Sequence, residues 1–445
     1  MAKNKLDLIF KSYDIRGVYG DVLNSEIAYK IGYAFAKYVE SDSILIGHDG
    51  RISHKEMLDA VSSGIMLADK DIIYVGLVPT DIVYSLSGLL NKPGLIITAS
   101  HNPKEYSGLK LCNVDAIPIG ENTGLKEIKS LVENFDKNIE ITNFRKIDSD
   151  LIDKYFHHLR TLVQPDTINN NLCFGVDGGN GAIGSVFDDL SKIYSFNFSP
   201  IYLEVDGNFP HHPADPSDEE NLKDLKNLVL DNNLNFGVAF DGDADRAVFI
   251  DDKGNVISGS MMTTMISDYL AKENDNLKVV HNVNVSPHAL NLLTKKNIQL
   301  YRCKVGHSNI KKMMRDINAD FGGEHSAHFY YKENFYADSG ILTLLLFMKI
   351  LSTQEEKVSH IIESYKFPPN SGEVNFVVDD VKESLKNIEA AFDIDFDYLD
   401  GLTCTTENYW FNIRGSNTEA KLRVNVEGES EKMIKEVLEK ISSNI

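Results

Sequence analysis

Residues 236–246 read Phe236-Gly237-Val238-Ala239-Phe240-Asp241-Gly242-Asp243-Ala244-Asp245-Arg246. An apolar, strand-like run ends abruptly in three aspartates at alternate positions. The same form recurs along the chain. Ser43-Ile44-Leu45-Ile46 leads into GHDGR (47–51), and Asp71-Ile72-Ile73-Tyr74-Val75 leads into GLVPT (76–80). Leu95-Ile96-Ile97 leads into TASHNP (98–103), and Cys173-Phe174-Gly175-Val176 into DGGNGAIG (177–184). Helix-like stretches follow these loops, and strands alternating with helical patterns predict α/β layers. Such folds carry their sites on loops beyond the carboxyl ends of the strands, which is where each of these polar loops falls.

The chain has 445 residues, which at roughly 100–200 residues per domain predicts more than one domain. Breaks are expected at three places. One is near 147, after Asn143-Phe144-Arg145-Lys146; a second is near 255, after Asp251-Asp252-Lys253-Gly254; the third is near 368, in KFPPNSGEV, where Pro368, Pro369 and Gly372 interrupt any helix. The expected domains are therefore 1–147, 148–254 and 255–368, all α/β, and 369–445, a smaller α+β domain ending in a helix-like run over 431–442. With 42% hydrophobic and 25% charged residues the composition is that of a globular protein. A net charge of −21 argues against nucleic acid as the main partner. It leaves room for a small anion, because a local cluster of cations can reverse the field inside one cleft. Cys112, Cys173, Cys303 and Cys404 are far apart and signal neither a zinc site nor a disulfide framework. The start, MAKNKLDLIF, does not read as a secretory signal. The longest apolar stretch, 340–348, is short of the ~20 residues that span a bilayer, so no membrane role and a cytoplasmic location are expected.

Asp241, Asp243 and Asp245 would share one side of an extended segment. Their carboxylates repel unless a cation sits among them, and an all-oxygen set suits a hard ion such as Mg²⁺ or Ca²⁺. An EF-hand loop also begins D-x-D-x-D, but it needs Gly at the sixth position, where this chain has Arg246, and a preceding helix, where this chain has a strand pattern. A Mg²⁺ held by carboxylates commonly takes a phosphate as a further ligand, so a phosphate-bearing group is expected elsewhere.

Ser100, in TASHNPKEYSGLK (98–110), is a candidate nucleophile at the exit of a strand, with His101 and Lys110 as candidates for handling protons or charge and Gly108 permitting close backbone approach. A Ser–His hydrolase is the competing reading, but adjacency is not a triad and no G-x-S-x-G elbow is present. In RGSNTEAKLRV (414–424), Arg414, Ser416, Asn417 and Thr418 crowd donors around Gly415, a turn suited to a dianionic phosphate, and Arg423 adds charge. KVGHSN supplies Lys304, Gly306 and His307; GGEHSAH supplies Glu324, Ser326 and His328, where a carboxylate and a hydroxyl at i and i+2 can grip neighbouring sugar hydroxyls. Each of these loops, taken singly, also reads as a solvated turn.

Together the motifs resemble the α-D-phosphohexomutase family, and within it the bacterial phosphomannomutase/phosphoglucomutase group. The resemblance runs in order through KSYDIRG (11–17), TASHNPKEYSGLK (98–110), DGNFPHHPADP (206–216), DGDADR (241–246), KVGH (304–307), GGEHSAH (322–328) and RGSNTEAKLRV (414–424). It implies a four-domain α/β protein whose first three domains share a topology, with a smaller α+β lid. It implies that Ser100 is phosphorylated and completes a Mg²⁺ site with Asp241, Asp243 and Asp245. The phosphoserine is donated to a hexose monophosphate, a hexose 1,6-bisphosphate turns over in the cleft, and phosphate moves between C6 and C1. Arg16, Arg246 and Lys110 would stabilise the phosphoryl in transit. Lys110 and His307, supported by His101, would handle protons. Tyr13, Lys304, Gly306, Glu324, Ser326 and His328 would contact the sugar, and Arg414, Ser416, Asn417, Thr418 and Arg423 the phosphate not in transit. Three positions depart from the family pattern: His48 replaces an Arg in GHDGR, Ala327 replaces a Gly in the sugar loop, and Ala420 stands where Pro is common. The Ser-Ala-His version favours mannose. Phosphoglucomutase and phosphoglucosamine mutase are the neighbouring readings, and a non-catalytic phosphosugar-binding protein is the reading from another class.

Overall fold

The computed structural model describes residues 5–144, 151–415 and 421–445. The boundary expected near 147 and the residues Ser416, Asn417, Thr418 and Ala420 lie outside them.

The first sheet contains β1 (Ile15–Val18), β2 (Ser43–His48), β3 (Asp71–Leu77), β4 (Gly94–Ile97) and β5 (Tyr106–Cys112) in the order β1-β5-β4-β2-β3. β2 pairs in parallel with β3 and β4, while β5 runs antiparallel to β4 and β1 antiparallel to β5. All four residues of β4, Gly-Leu-Ile-Ile, are buried. A strand covered on both faces tolerates no polar alternation, which is why its sequence is one apolar run. The helices Ser25–Tyr38, His54–Leu67 and Lys126–Glu133 contribute Phe35, Val61 and Ile128 to the core beside Ile46, Leu95 and Leu109.

The second sheet repeats the scheme. β6 (Cys173–Asp177) pairs in parallel with β7 (Asn197–Ile201) and β8 (Phe236–Phe240). β9 (Ala247–Asp251) then turns back antiparallel to β8 and carries β10 (Val256–Ile257) on its edge. A third set begins the same way, β11 (Lys278–Asn282) pairing in parallel with β12 (Gln299–Cys303) and β13 (Phe321–Gly323). β14 (Phe329–Tyr331) and β15 (Ala337–Asp338) form an antiparallel pair. The shared topology expected for the first three domains is therefore present in the strand pairing. The last region is a four-stranded antiparallel sheet, β16 (Asn370–Val377), β17 (Leu402–Thr405), β18 (Tyr409–Gly415) and β19 (Lys421–Gly428), in the order β16-β19-β18-β17. The helices Val381–Ala391 and Glu431–Ser442 close a core of Ile388, Phe411, Val424 and Ile441 against it.

The chain divides into two compact units, Met1–Ser258 with Ser326–Ile361, and Gly259–His325 with Ile362–Ile445. Among the described residues no helix is long and apolar enough to cross a membrane. All four cysteines are free thiols.

Candidate active site

In the first unit, two strand-exit loops meet. Ser100 follows β4 in the left-handed region (φ +50) and is 2% exposed. A residue with a Cβ is strained there and needs its surroundings to hold it. Arg51 does most of the holding. Its Nη2 donates to the carbonyls of Ser100 and Asn102, both at 2.6 Å, and its Nη1 to those of Pro103 at 2.8 Å and Tyr106 at 3.0 Å. Its Nε donates to Asp49 Oδ2 at 3.2 Å. Asp49 also accepts from Thr98 Oγ1 at 2.7 Å, and Thr98 Oγ1 in turn accepts from the Ser100 amide at 2.9 Å. Arg16 Nη1 reaches Asn102 Oδ1 at 2.7 Å and the Ala99 carbonyl at 3.3 Å. Gly108, on the neighbouring β5, has no room for a side chain, because a Cβ would stand 2.4 Å from the Ile15 carbonyl and 2.7 Å from that of Thr98.

The Asp241–Asp245 loop leaves β8 as a turn. Ala244 has φ +54 and donates its amide to the Asp241 carbonyl at 3.0 Å. The three carboxylates therefore converge by chain reversal, and not by strand alternation as their spacing led us to expect. Each offers an oxygen within 4.8 Å of the others'. Asp241 and Asp243 are fully buried and Asp245 is 3% exposed. Ser100 Oγ donates to Asp241 Oδ2 at 2.7 Å, and His101 Nδ1 lies 3.4 Å from the same hydroxyl. Gly242 is what permits this approach, since a Cβ there would meet the Ser100 carbonyl at 2.5 Å.

Three buried anions require compensation. Lys110 Nζ donates to Asp243 Oδ2 at 2.7 Å and Asp245 Oδ2 at 2.5 Å. Arg246 Nε donates to Asp241 Oδ2 at 3.0 Å, and its Nη1 pairs with Asp215 Oδ1 at 3.4 Å. Burial alone would lower the Lys110 pKa, but Asp243 and Asp245 hold it well above the usual range, so it is an ammonium at neutral pH. Burial first and the charge of Asp245 second push the Asp241 carboxyl up. Burial opposes ionisation of Asp245 as well, yet Lys110 and then His328 hold it well below the ordinary carboxylate range. His101 is driven well below its usual range by desolvation and then by Arg246, so its imidazole is neutral at pH 7.

One buried oxygen, Asp243 Oδ1, has no hydrogen-bond partner among the described residues, and Asp245 Oδ1 has His328 Nε2 beside it at 3.5 Å. A buried carboxylate oxygen left unsatisfied is costly, and a cation is the group that relieves it. The donor set is all oxygen, so the residues present fit a hard divalent ion. His328 Nε2 stands 3.5 Å from Asp245 Oδ1, and His328, Asp245 and Asp338 form a second group of atoms within 4.8 Å of one another. Ser326 Oγ lies 3.2 Å from His328 Nδ1. Tyr13 is half-buried, three positions before Arg16.

The second unit carries the remaining expected residues. Glu324 is 2% exposed, and its Oε1 accepts from Asn282 Nδ2 at 2.8 Å and from the Gly306 amide at 3.1 Å. Gly306 has φ +121 and precedes the helix His307–Ile317, which places His307 at the first helical position; Lys304 is exposed. Arg414 and Arg423 stand directly opposite each other on β18 and β19. Glu373 on β16 lies against both, at 3.5 Å and 2.9 Å, which offsets the repulsion of like charges across a strand pair.

Several residues escaped sequence reasoning. Asp49 and Arg51 lie in the GHDGR loop and Thr80 in GLVPT, both strand-exit loops, but their types did not mark them. Asp215 lies in DGNFPHHPADP, to which no role had been given. His48, which stands where the family pattern has an Arg, is 4% exposed and sits between Tyr74 OH at 2.8 Å and the Asp49 carbonyl at 2.7 Å.

Comparison with known proteins was made against this geometry. Four family models match, described as phosphoglucomutase/phosphomannomutase alpha/beta/alpha domain I (residues 7–138), domain II (153–254) and domain III (258–367), and the C-terminal domain (373–443). A phosphomannomutase of Methanocaldococcus jannaschii is 35% identical over 444 residues, covering 98% of this chain and 97% of its own. A phosphomannomutase of Escherichia coli K12 is 32% identical, covering 94% of each chain. Among solved structures, a phosphoglucomutase/phosphomannomutase family protein from Burkholderia thailandensis superposes with a TM-score of 0.87 at 25% identity, covering 98% of this chain and 96% of that one.

Proposed function

Since this chain belongs to the phosphoglucomutase/phosphomannomutase family and is a phosphohexomutase, an isomerase acting in carbohydrate metabolism, we propose that it interconverts mannose 6-phosphate and mannose 1-phosphate through a phosphorylated Ser100. Glucose phosphates are proposed as further substrates, and the cytoplasm as the site of action. The domains are proposed to run 1–147, 148–254, 255–368 and 369–445. The observation that carries the reading is the 2.7 Å hydrogen bond from Ser100 Oγ to Asp241, inside a buried cluster of three aspartates and one ammonium.

Asp241, Asp243 and Asp245 are proposed to hold Mg²⁺ with the phosphate of Ser100. Bound there, the ion would supply charge neutralisation at a phosphoryl oxygen. In the forward half of the cycle the bond between Ser100 Oγ and phosphorus breaks, a bond from phosphorus to a sugar hydroxyl oxygen forms, and that hydroxyl gives up its proton. The resulting hexose 1,6-bisphosphate, bound the other way round, returns its other phosphate to Ser100. Lys110, fixed as an ammonium, serves as a charge on the phosphoryl in transit, with Arg16 and Arg246. His101, 3.4 Å from Ser100 Oγ, is proposed to support proton handling at the serine, whose hydroxyl hydrogen is directed at Asp241 Oδ2. His307 and His328 are the imidazoles proposed for the sugar hydroxyls. Tyr13, Lys304, Gly306, Glu324 and Ser326 are proposed to contact the sugar. Arg414 and Arg423, with Ser416, Asn417 and Thr418, are proposed to hold the phosphate at rest.

The test is mass spectrometry of the protein after incubation with a hexose 1,6-bisphosphate, read beside turnover of mannose 1-phosphate. One phosphate on Ser100 is expected, and Ser100→Ala should lose both the phosphate and at least ~10³-fold in kcat while melting within a few degrees of the native protein. A Ser100→Ala protein with full turnover would sink the phosphoserine mechanism.

A further inference from the structure

The helix Thr80–Leu90 begins at the exit of β3, and its first residue is fully buried against the aspartate loop of the second sheet. Thr80 touches Asp243 twice. Its amide donates to the Asp243 carbonyl at 2.9 Å, and its Oγ1 donates to Asp243 Oδ2 at 2.5 Å. Lys110 Nζ donates to that same oxygen at 2.7 Å. One oxygen of the carboxylate is thus saturated from two directions, and the other, Oδ1, is buried with no hydrogen-bond partner among the described residues.

We propose that Thr80 is a positioning residue for the cation site: by pinning Asp243 Oδ2 and the backbone beneath it, it fixes the plane of the carboxylate so that Oδ1 is the oxygen offered to the metal. The inference rests on the metal site proposed above and adds to it a residue from the helix that follows β3. The physical case is one of rotational freedom. A carboxylate on a turn has a broad preference about its last torsion, so a single contact would leave either oxygen able to face the cluster. Lys110 alone does not remove this freedom, because a lysine side chain is long and its ammonium can follow whichever oxygen is presented. The Thr80 hydroxyl sits on the first turn of a helix whose amide is itself bonded to Asp243, so donor and acceptor are tied to one rigid frame. The positive end of the helix lies beside the carboxylate and favours its ionised form. Groups that orient a metal ligand in this way are commonly worth ~10–100-fold in metal affinity.

The experiment is a titration of the whole protein, freed of metal by chelator and of phosphate by prior incubation with excess hexose monophosphate, which takes the phosphoryl group from Ser100 and is washed away as the bisphosphate. Mn²⁺ serves as the probe and the free ion is read by electron paramagnetic resonance. Thr80→Val keeps the shape and the backbone bond and removes the hydroxyl; Thr80→Ser keeps the hydroxyl and trims a methyl group. Thr80→Val is expected to bind Mn²⁺ at least ~10-fold more weakly than the native protein, and Thr80→Ser within ~3-fold of it. Thr80→Ala is measured beside them, so that loss of the hydroxyl is read in a second background if the valine disturbs packing. Native affinity in Thr80→Val and Thr80→Ala would overturn the proposal, and so would a Thr80→Ser protein as weak as the valine variant, since that would make the methyl group the cause. A native protein that takes up no Mn²⁺ would overturn the metal site itself, an outcome separate from either.

Discussion

A single side chain, Arg51, shows how much of the candidate site is built by residues buried behind it. It is 1% exposed, paired with Asp49, and aimed at four carbonyls of the Ser100 loop. A planar guanidinium presents five donors in a fixed fork, whereas an ammonium presents three on a flexible stem. Arg51→Lys keeps the charge opposite Asp49 but strands at least one of the buried carbonyls. We expect it to destabilise the protein by ~2 kcal/mol and to lower kcat more than it raises KM, because Ser100 would leave its left-handed conformation. Thermal unfolding and steady-state kinetics on the one variant check both. The loop was legible in the sequence as polar material at a strand exit, and Ser100 as its candidate nucleophile. Arg51 was not, because its role is defined by carbonyl groups 49 to 55 residues away in the chain.

At the scale of an element, the helix Thr80–Leu90 joins segments that are remote in sequence. Beside Thr80, Asp81 is fully buried; its Oδ2 accepts from Tyr155 OH at 2.8 Å and from Ser339 Oγ. Ser339 caps the helix Gly340–Ser352 and follows Asp338 of the second acidic group. Burial pushes the Asp81 carboxyl up to about 7, the hydrogen bonds from Ser339 and Tyr155 pull against it, and the charges of Asp338 and Asp245 add to it. The folded protein therefore binds a proton at Asp81 that the unfolded chain releases near pH 3.8. The stabilising contribution is complete below that value and is lost as pH rises through about 7. Asp81→Asn keeps an acceptor for Ser339 and Tyr155 and takes up no proton. Its unfolding free energy relative to the native protein should climb between pH 4 and pH 7, with a slope of at most ~1.4 kcal/mol per pH unit, carrying the melting temperature with it, and level off above. Parallel melting curves across that range would show that Asp81 does not titrate there.

At the scale of the whole molecule, the parallel pairing of one strand with the two that follow it occurs three times, as β2 with β3 and β4, β6 with β7 and β8, and β11 with β12 and β13. The residues proposed for function are distributed over these repeats and the C-terminal sheet, the aspartate cluster lying in one unit and most of the proposed sugar and phosphate contacts in the other. Glu324, whose Oε1 is fixed by Asn282 and Gly306, is one of the proposed sugar contacts, and we propose that it grips the hydroxyls at C3 and C4. Mannose and glucose differ at C2, which that grip does not test. We expect kcat/KM for mannose 1-phosphate to equal or exceed that for glucose 1-phosphate by no more than ~10-fold, read from the two progress curves by ³¹P NMR. A larger gap would mean that a group outside the proposed contacts reads C2.

By itself the sequence determined the strands, the loops at their ends and the kind of chemistry those loops carry. Apolar runs such as Gly94–Ile97 and Phe236–Phe240 have few other ways to be buried on both faces, and aspartates, a serine and arginines concentrated at their exits need a reason to be there. Only the tertiary structure decided which atoms meet. That Ser100 meets Asp241, 141 positions away, that Thr80 pins Asp243, 163 positions away, and that Lys110 stays an ammonium while His101 stays neutral are consequences of distance and desolvation. A hydrogen bond falls away within an ångström of misplacement and a pKa follows whichever charges burial brings together, and neither quantity is carried by the order of residues along the chain.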